Sequence, residues 1–524
     1  MKVKEFIKIS DFDFLKKENT SESEIRSWNK SLPILQKIFK DLGLNECEVE
    51  LEYKLPYSHD RVDVVLIGKN IIFLELKQWS EDRCVEKNKR FCIVDNKEFL
   101  HPCVQIEGYK RAFELYCEDF NIETAVFLHN MNKGFNYCRT NIFYARSIDG
   151  FREFLIDNLL PVNYDNIIKF KNCDPKPTPK LIENLDKLEE MIQLSIEQRE
   201  VIYKILESNK NIVLVEGAPG SGKSLIALML HSFYLKKQIL SLYFTKTATP
   251  RKVYSSMLQK KPAELGLVYM DEQFVPGNIE KVKVIIIDEA QRLQQKHIDY
   301  LKRLNKKLIF FYDTQQKVQV SDIGDVSRYC SENEYERHVL KEQYRCDVSQ
   351  EYLEFIDCML YNREGYKKFD YDFKICENFD EFLKIKNDLN ARIVSGYCYE
   401  WKSKNDENRF DIEIEGFKLK WNDFKNSSIW IIDDSQKNFV GCIHSIQGME
   451  EDYIGVIVCE DLDIENNRLI ERPEKNQEFK KSFEEGLIKN IYRVLLTRAR
   501  KGTFVYFTNK KLKEYFKERL NDCV

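Results

Sequence analysis

The chain has 524 residues, which at roughly 150 residues per domain predicts three to four folding units. Hydrophobic residues make up 43% and charged residues 32%, with 19 Gly and 12 Pro, which excludes disordered, collagenous and low-complexity classes. A net charge of −4 excludes a globally basic nucleic-acid binder, so any such face must be local.

No apolar run approaches the roughly 18 residues of a membrane span, and none shows a secretory h-region. The opening MKVKEFIKISDFDF carries Asp11 and Asp13. A cytoplasmic location without membrane partners is therefore expected. Fifteen cysteines without a CxxC pair, beside seven histidines, predict reduced, mostly buried thiols and no zinc or iron–sulfur framework.

In chain order, a helical pattern from Ser23 to Leu42 comes first. Arg61–Ile67 then alternates as a strand, Gly68-Lys69-Asn70 forms a turn, and Ile71–Lys77 forms a second strand. With Lys69 at the centre, positions whose numbers total 138 face one another, so Asp63 and Glu75 form a cross-strand pair. Lys77 shares the face of Glu75, because side chains alternate with period two. Two carboxylates so close call for a cation between them, and Mg²⁺ (Mn²⁺ as a substitute) is the natural occupant. Lys77 then stands where it can orient or deprotonate a water for attack on a phosphodiester. His59 and His101 read as local structure or substrate contacts. The only proline cluster, Asp174 to Lys180, reads as a linker. The expected domains are 1–172, a linker at 173–193, then 194–328 and 329–524.

After the linker, short β-rich runs alternate with amphipathic stretches, as in a parallel sheet wrapped by helices. The apolar run at Asn211–Glu216 leads directly into Gly217-Ala-Pro-Gly-Ser-Gly-Lys-Ser224 and a helical run. This strand–loop–helix context marks a phosphate-binding loop. Gly217, Gly220 and Gly222 let backbone N–H groups curl round phosphate, Lys223 reaches the terminal phosphates, and Ser224 offers a hydroxyl to Mg²⁺. A second apolar strand ends in Asp288 and Glu289, the first to hold the magnesium and the second to orient the attacking water. ATP is the expected nucleotide. A third strand closes with Asp313-x-x-Gln316. From Gly217 to Ala263 there are eight basic residues and no acidic one, a local patch suited to a phosphate backbone.

The hairpin's D-x(n)-E-x-K resembles the PD-(D/E)xK nuclease superfamily. Gln105 and Tyr109, in HPCVQIEGY, resemble the Q-x3-Y element of RecB-like nucleases, and Glu24 resembles the helix carboxylate that completes such metal sites. The usual proline before the aspartate is absent here, where Arg61 and Val62 precede Asp63. After the linker, LKEQYR, HSIQGME and VLLTRAR, with the motifs above, resemble superfamily 1 helicases in order and spacing. More closely, GYCYEWKSK, HSIQGMEEDYIGVIV and NIYRVLLTRARKG resemble the Schlafen-group-3-like DNA/RNA helicase domains of bacteria. This resemblance implies that Gln198 reads adenine, Gln316 senses the γ-phosphate, and Tyr344 stacks on the base. It also implies that Arg345 and Arg498 reach the γ-phosphate from the second lobe, that Glu450 contacts ribose, and that Thr245 grips single-stranded nucleic acid. Only 43 residues separate Thr245 from Asp288, too few for a large inserted subdomain.

The expected fold is thus α/β: an N-terminal PD-(D/E)xK nuclease-like domain followed by two RecA-like parallel-sheet P-loop lobes. The expected function is an ATP-dependent translocase or helicase fused to a Mg²⁺-dependent DNA endo- or exonuclease, in bacterial antiphage defence or DNA processing. The expected partner is DNA, single-stranded or at duplex ends, with RNA as an alternative; a homo-oligomer or a partner defence protein is the protein-level option. The competing reading is an ATP-gated switch whose first domain binds nucleic acid without cutting it.

Overall fold

The computed structural model describes residues 1–16, 22–55, 60–117, 119–132, 134–137, 140–173, 194–246, 267–269, 279–341, 350–423, 429–446 and 451–522. The chain divides into two compact units, Met1–Lys180 with Glu189–Lys204, and Leu181–Leu188 with Ile205–Val524.

The first unit is built on a five-stranded mixed sheet in the order β1-β2-β3-β7-β8. β1 (Glu48–Lys54), β2 (Arg61–Ile67) and β3 (Ile71–Lys77) run antiparallel in turn. A small antiparallel sheet follows, formed by β4 (Cys84–Glu86), β5 (Phe91–Val94) and β6 (Lys97–Leu100). β7 (Ile122–Leu128) then pairs parallel with β3, and β8 (Asn141–Tyr144) parallel with β7. Period-two alternation divides the core between the two faces. Val64, Leu66, Ile72 and Leu74 pack against the leading helix Glu22–Asp41, whose Trp28, Leu32, Leu35 and Phe39 recur at helical spacing. Val65, Ile67, Ile71 and Phe73 pack on the other side against Ile106, Tyr109 and Phe113 of the helix Pro102–Tyr116.

The second unit holds two parallel sheets. The first has the order β11-β10-β12-β13-β9-β14: β9 (Ile212–Gly217), β10 (Ser241–Thr245), β11 (Leu267–Tyr269), β12 (Val284–Asp288), β13 (Lys307–Tyr312) and β14 (Tyr335–Leu340). Every adjacent pair is parallel. β12 is buried at all positions, as a strand covered on both faces requires. The second sheet, β15 (Asp372–Ile375), β23 (Ala499–Phe507), β20 (Glu451–Val458) and β16 (Arg392–Ser395), is again parallel throughout. Between β16 and β20 an insertion carries the hairpin β17 (Ile412–Ile414) and β18 (Phe417–Trp421), extended by β19 (Phe439–Val440). The fold is therefore α/β, with a mixed-sheet N-terminal domain and two RecA-like lobes.

Among the described residues no helix is long and apolar enough to cross a membrane. Eleven described cysteines are free thiols, whereas Cys103 is disulfide-bonded, which corrects the expectation of thiols throughout.

Candidate functional sites

The β2–β3 hairpin adopts the register read from its sequence: Val64 faces Leu74, Val65 faces Phe73 and Ile67 faces Ile71. The next position brings Asp63 opposite Glu75, and Asp63 Oδ2 accepts a hydrogen bond of 2.7 Å from the Leu76 N–H. Lys77 Nζ donates to Glu75 Oε1 at 2.6 Å. Gln105 and Tyr109 project from the helix over this face, and Gln105 Nε2 donates to the Tyr109 hydroxyl at 2.8 Å. The Glu75 and Asp63 charges, after burial itself, push the Tyr109 phenol well above its usual range. The structure thus gathers Asp63, Glu75, Lys77, Gln105 and Tyr109 into one site.

Its electrostatics are those of crowded, buried charge. Glu75 is 1% exposed, and burial, reinforced by the Asp63 charge, pushes its carboxyl up to about 8. Burial also raises Asp63 against the pull of Lys77 and the Leu76 N–H. Burial disfavours the Lys77 ammonium, yet the Glu75 and Asp63 charges outweigh it and hold the amine above its ordinary value. Glu75 Oε2 is buried without a hydrogen-bond partner. An orphaned carboxylate oxygen beside a second, half-buried carboxylate fits a divalent cation, whose charge would reverse both upward shifts. Among the described residues no cluster of three or more His, Cys, Asp or Glu has metal-holding geometry, so any third ligand must come from elsewhere. Glu24 lies on the leading helix, but its side chain is outside the described residues, as is His59. His101 is structural: its Nδ1 accepts from Cys103 N to cap the helix Pro102–Tyr116, and Nε2 pairs with Glu86 at 3.1 Å.

One acidic residue here escaped the sequence reading. In the β1–β2 register Glu52 falls between the pairs Leu51–Val64 and Tyr53–Val62, opposite Asp63. Its φ is +50°, unusual for a residue with a Cβ, and the Trp28 indole N–H donates to its Oε1 at 2.6 Å. Its charge contributes to the rise at Glu75. The available signal was the alternation Glu48, Glu50, Glu52 one strand before the hairpin.

In the second unit, β9 runs into the loop 218–222 and the helix Lys223–Lys236. Gly220 and Gly222 both have φ +82°, a conformation that costs residues with a Cβ about 1–2 kcal/mol. At Gly217 a Cβ would lie 2.4 Å from Ser221 Oγ. Lys223 Nζ donates to the Gly217 and Ala218 carbonyls at 2.6 and 2.9 Å, directly in the loop's concavity. Asp288 ends β12, accepts from Tyr243 Oη at 2.6 Å, and is hydrogen-bonded by Ser224. Burial and the adjacent Glu289 push its carboxyl up to about 6. The raised Asp288 beside a hydroxyl and an ammonium again fits a site for Mg²⁺ and phosphate.

From Glu289 a chain of buried hydrogen bonds crosses to the other lobe. Gln291 Nε2 donates to Glu289 Oε2, and Gln291 Oε1 accepts from the Asp313 N–H at 3.2 Å. Gln316 Nε2 donates to Asp313 Oδ2 at 2.9 Å, and Gln316 Oε1 accepts from Arg498 Nη2 at 2.8 Å. Arg498 is 1% exposed and immediately precedes β23. Gln291 is fully buried. Flanking contacts join the same two segments: Asn490 Nδ2 donates to the Lys317 carbonyl at 2.9 Å and Gln319 Nε2 to Glu478 Oε1 at 2.8 Å.

Other expectations fare differently. Thr245 is buried at the end of β10, paired in register with Asp288. Gln198 belongs to the first unit, where it forms a reciprocal helix cap with Ser195: Gln198 Oε1 accepts from Ser195 N at 3.1 Å and Ser195 Oγ from Gln198 N at 3.2 Å. Tyr344, Arg345 and Glu450 lie outside the described residues.

A phosphate-binding loop, an acidic strand end and a second parallel-sheet lobe linked to them make up the second unit's candidate site, carried by the same chain as the carboxylate hairpin of the first unit. Comparison with known families agrees. Residues 210–509, more than half of the chain, match the Schlafen group 3, DNA/RNA helicase domain, and the chain belongs to that family. Residues 21–129 match the nuclease-related domain. An uncharacterized protein of Saccharomyces cerevisiae is 22% identical over 431 residues, covering 65% of this chain and 94% of that protein. Among solved structures, a Pif1 helicase from Candida albicans matches with a TM-score of 0.32 at 14% identity, over 63% of this chain and all of that one. A second Pif1 structure, solved for DNA unwinding at forked duplexes, matches at 0.29 and 12% identity, over 63% of this chain and 98% of that one. The protein is a nuclease-related domain fused to a helicase domain, and membership in a helicase family implies use of a nucleotide.

Proposed function

We propose that this protein is an ATP-dependent nucleic-acid translocase whose N-terminal domain is a Mg²⁺-dependent DNA nuclease, acting in antiphage defence or DNA processing. The hydrogen-bond chain from Glu289 to Arg498 carries the motor half of this reading. Lys223 binds the terminal phosphates, Ser224 and Asp288 are the residues that hold the nucleotide's magnesium, and Glu289 orients the attacking water. Because Arg498 is tied to Gln316, stabilisation of the transferred phosphoryl group depends on how the lobes meet, and hydrolysis is converted into lobe movement.

In the nuclease domain Asp63 and Glu75 are the residues that hold a divalent cation, with Glu24 as the candidate third ligand. When bound, the cation supplies Lewis acidity toward a phosphodiester. Lys77 keeps its proton beside two carboxylates. It therefore supplies a positive charge that stabilises the developing phosphorane. Gln105 and Tyr109 position the scissile strand over that charge. Cutting by the first domain therefore requires Mg²⁺ but not ATP, whereas hydrolysis in the second unit requires both.

The test is cleavage of end-labelled single-stranded and duplex DNA by the full chain in Mg²⁺, with and without ATP. Lys77→Ala should abolish cutting and spare ATPase, whereas Lys223→Ala should abolish ATPase. Intact cutting in Lys77→Ala would overturn the nuclease assignment. Strand-stimulated ATPase without any cutting of DNA or RNA would favour a binding domain in place of a nuclease.

A further inference from the structure

The insertion in the second lobe forms a cavity of about 460 Å³ that the motor chemistry does not use. Four lysines line it. Lys386 comes from the helix Phe379–Asp388, Lys418 and Lys420 from β18, and Lys437 from the turn before β19. Phe410 and Phe439 supply its aromatic walls, and no carboxylate is part of the lining. Phe439 sits beside Lys420 in the β18–β19 register. Phe410 is 46% exposed, with the Lys420 ammonium 5.9 Å from its ring centre.

The charge here is poorly neutralised. Lys437 pairs with the exposed Asp434 at 2.8 Å, and Lys418 stands opposite Glu413 in the hairpin register. Among the described residues no carboxylate lies within ion-pair distance of Lys386, Lys418 or Lys420. Burial, and then repulsion from Lys437 and Arg392, lowers the Lys386 amine below its ordinary value. Like charges converging on a concave surface are costly unless an anion belongs there. A volume of this order accepts a ligand of nucleotide size, and an exposed ring beside ammonium groups suits a base stacked next to its phosphate.

We infer that this cavity is a nucleotide-unit binding site that takes one base and its flanking phosphates from a single strand engaged by the motor. Lys386, Lys418 and Lys420 contact the phosphates and Phe410 stacks on the base. The site rests on the reading that the helicase unit grips a strand, but none of these residues belongs to the ATP machinery.

The test uses the full chain and a short fluorescein-labelled oligothymidylate, with anisotropy followed across a salt titration. The triple variant Lys386→Gln/Lys418→Gln/Lys420→Gln should flatten the slope of log affinity against log salt by about 2, from about 0.7 per lost contact. Phe410→Ala should weaken binding about ten-fold. Thermal unfolding and strand-free ATPase should match wild type, which establishes that both variants are folded. A triple variant with the wild-type slope would overturn the inference. So would loss of binding to a free fluorescent nucleotide with strand affinity unchanged, because the site would then serve a soluble nucleotide. Wild-type protein that binds no strand, and whose ATPase no strand stimulates, would instead sink the translocase reading itself.

Discussion

Gln291 is the place where the proposed hydrolysis site and the hydrogen-bond chain between the lobes share one side chain. Its amide donates to the Glu289 carboxylate and accepts from the Asp313 backbone, and the residue is 0% exposed. Gln291→Leu keeps the volume and removes both bonds. The bond to a charged group contributes about 1.5–3 kcal/mol and the neutral one about 0.5–1.5 kcal/mol, so the helicase unit should lose about 2–4.5 kcal/mol of stability. The functional loss should be larger than stability accounts for. Glu289 would lose the group that holds it, and correctly placed proton-transfer groups contribute about 10²–10⁴-fold. A fall of about 10–100-fold in kcat is therefore expected, with little change in KM for ATP. Gln291→Glu can still accept from Asp313 N–H but sets a second buried carboxylate against Glu289, so it should lose at least as much stability as Gln291→Leu and lose the activity too. Steady-state ATPase and denaturant unfolding of the full chain, run on both variants, provide the assay. Wild-type kcat in both variants would refute the coupling chain, whatever happens to stability.

Three further outcomes are expected. Arg498→Ala should lower kcat for ATP about 10³-fold with strand binding retained, measured by ATPase beside anisotropy; an unchanged kcat would remove Arg498 from the phosphoryl site. Gly222→Ala forces a residue with a Cβ to φ +82°, which costs about 1–2 kcal/mol locally and should abolish binding of a fluorescent ATP analogue, while nuclease activity without ATP persists. His101 is buried and its pKa lies below 6.5, because burial opposes its charged form more than Glu86 favours it. Below 6.5 the unfolded chain therefore binds the extra proton first, so stability of the first unit should fall as pH drops from 7.5 to 5.5. His101→Asn, which can still cap the helix Pro102–Tyr116, should flatten that dependence in denaturant midpoints. An equal slope in both proteins would show that His101 is not the group responsible.

Local rules carried much of this protein. The hairpin register around Lys69 was readable because a short turn and period-two alternation leave one pairing that buries Val65, Ile67, Ile71 and Phe73 together. The phosphate loop was readable because left-handed backbone at Gly220 and Gly222 and close approach at Gly217 admit few other residues. The Q-x3-Y pair was legible because four residues make one helical turn, which puts Gln105 and Tyr109 within a hydrogen bond.

What the chain order could not reveal depends on partners brought together from far apart. Glu52 joins the hairpin carboxylates only through the register of a third strand and a positive φ, neither of which its own neighbours dictate. Thr245 lies 43 residues before Asp288, and only the parallel pairing of β10 with β12 sets the two side by side. The lysine cavity draws on a helix, a hairpin and a turn that no periodicity relates. Gln316 and Arg498 are 182 residues apart, and only the docking of one parallel sheet's end against another makes them partners. Sequence by itself determined the two candidate sites, since phosphate cradles and carboxylate hairpins are written in short-range backbone requirements. Tertiary structure decided which residues are coupled, because hydrogen bonds and buried charge act over a few ångströms of space and not along the chain.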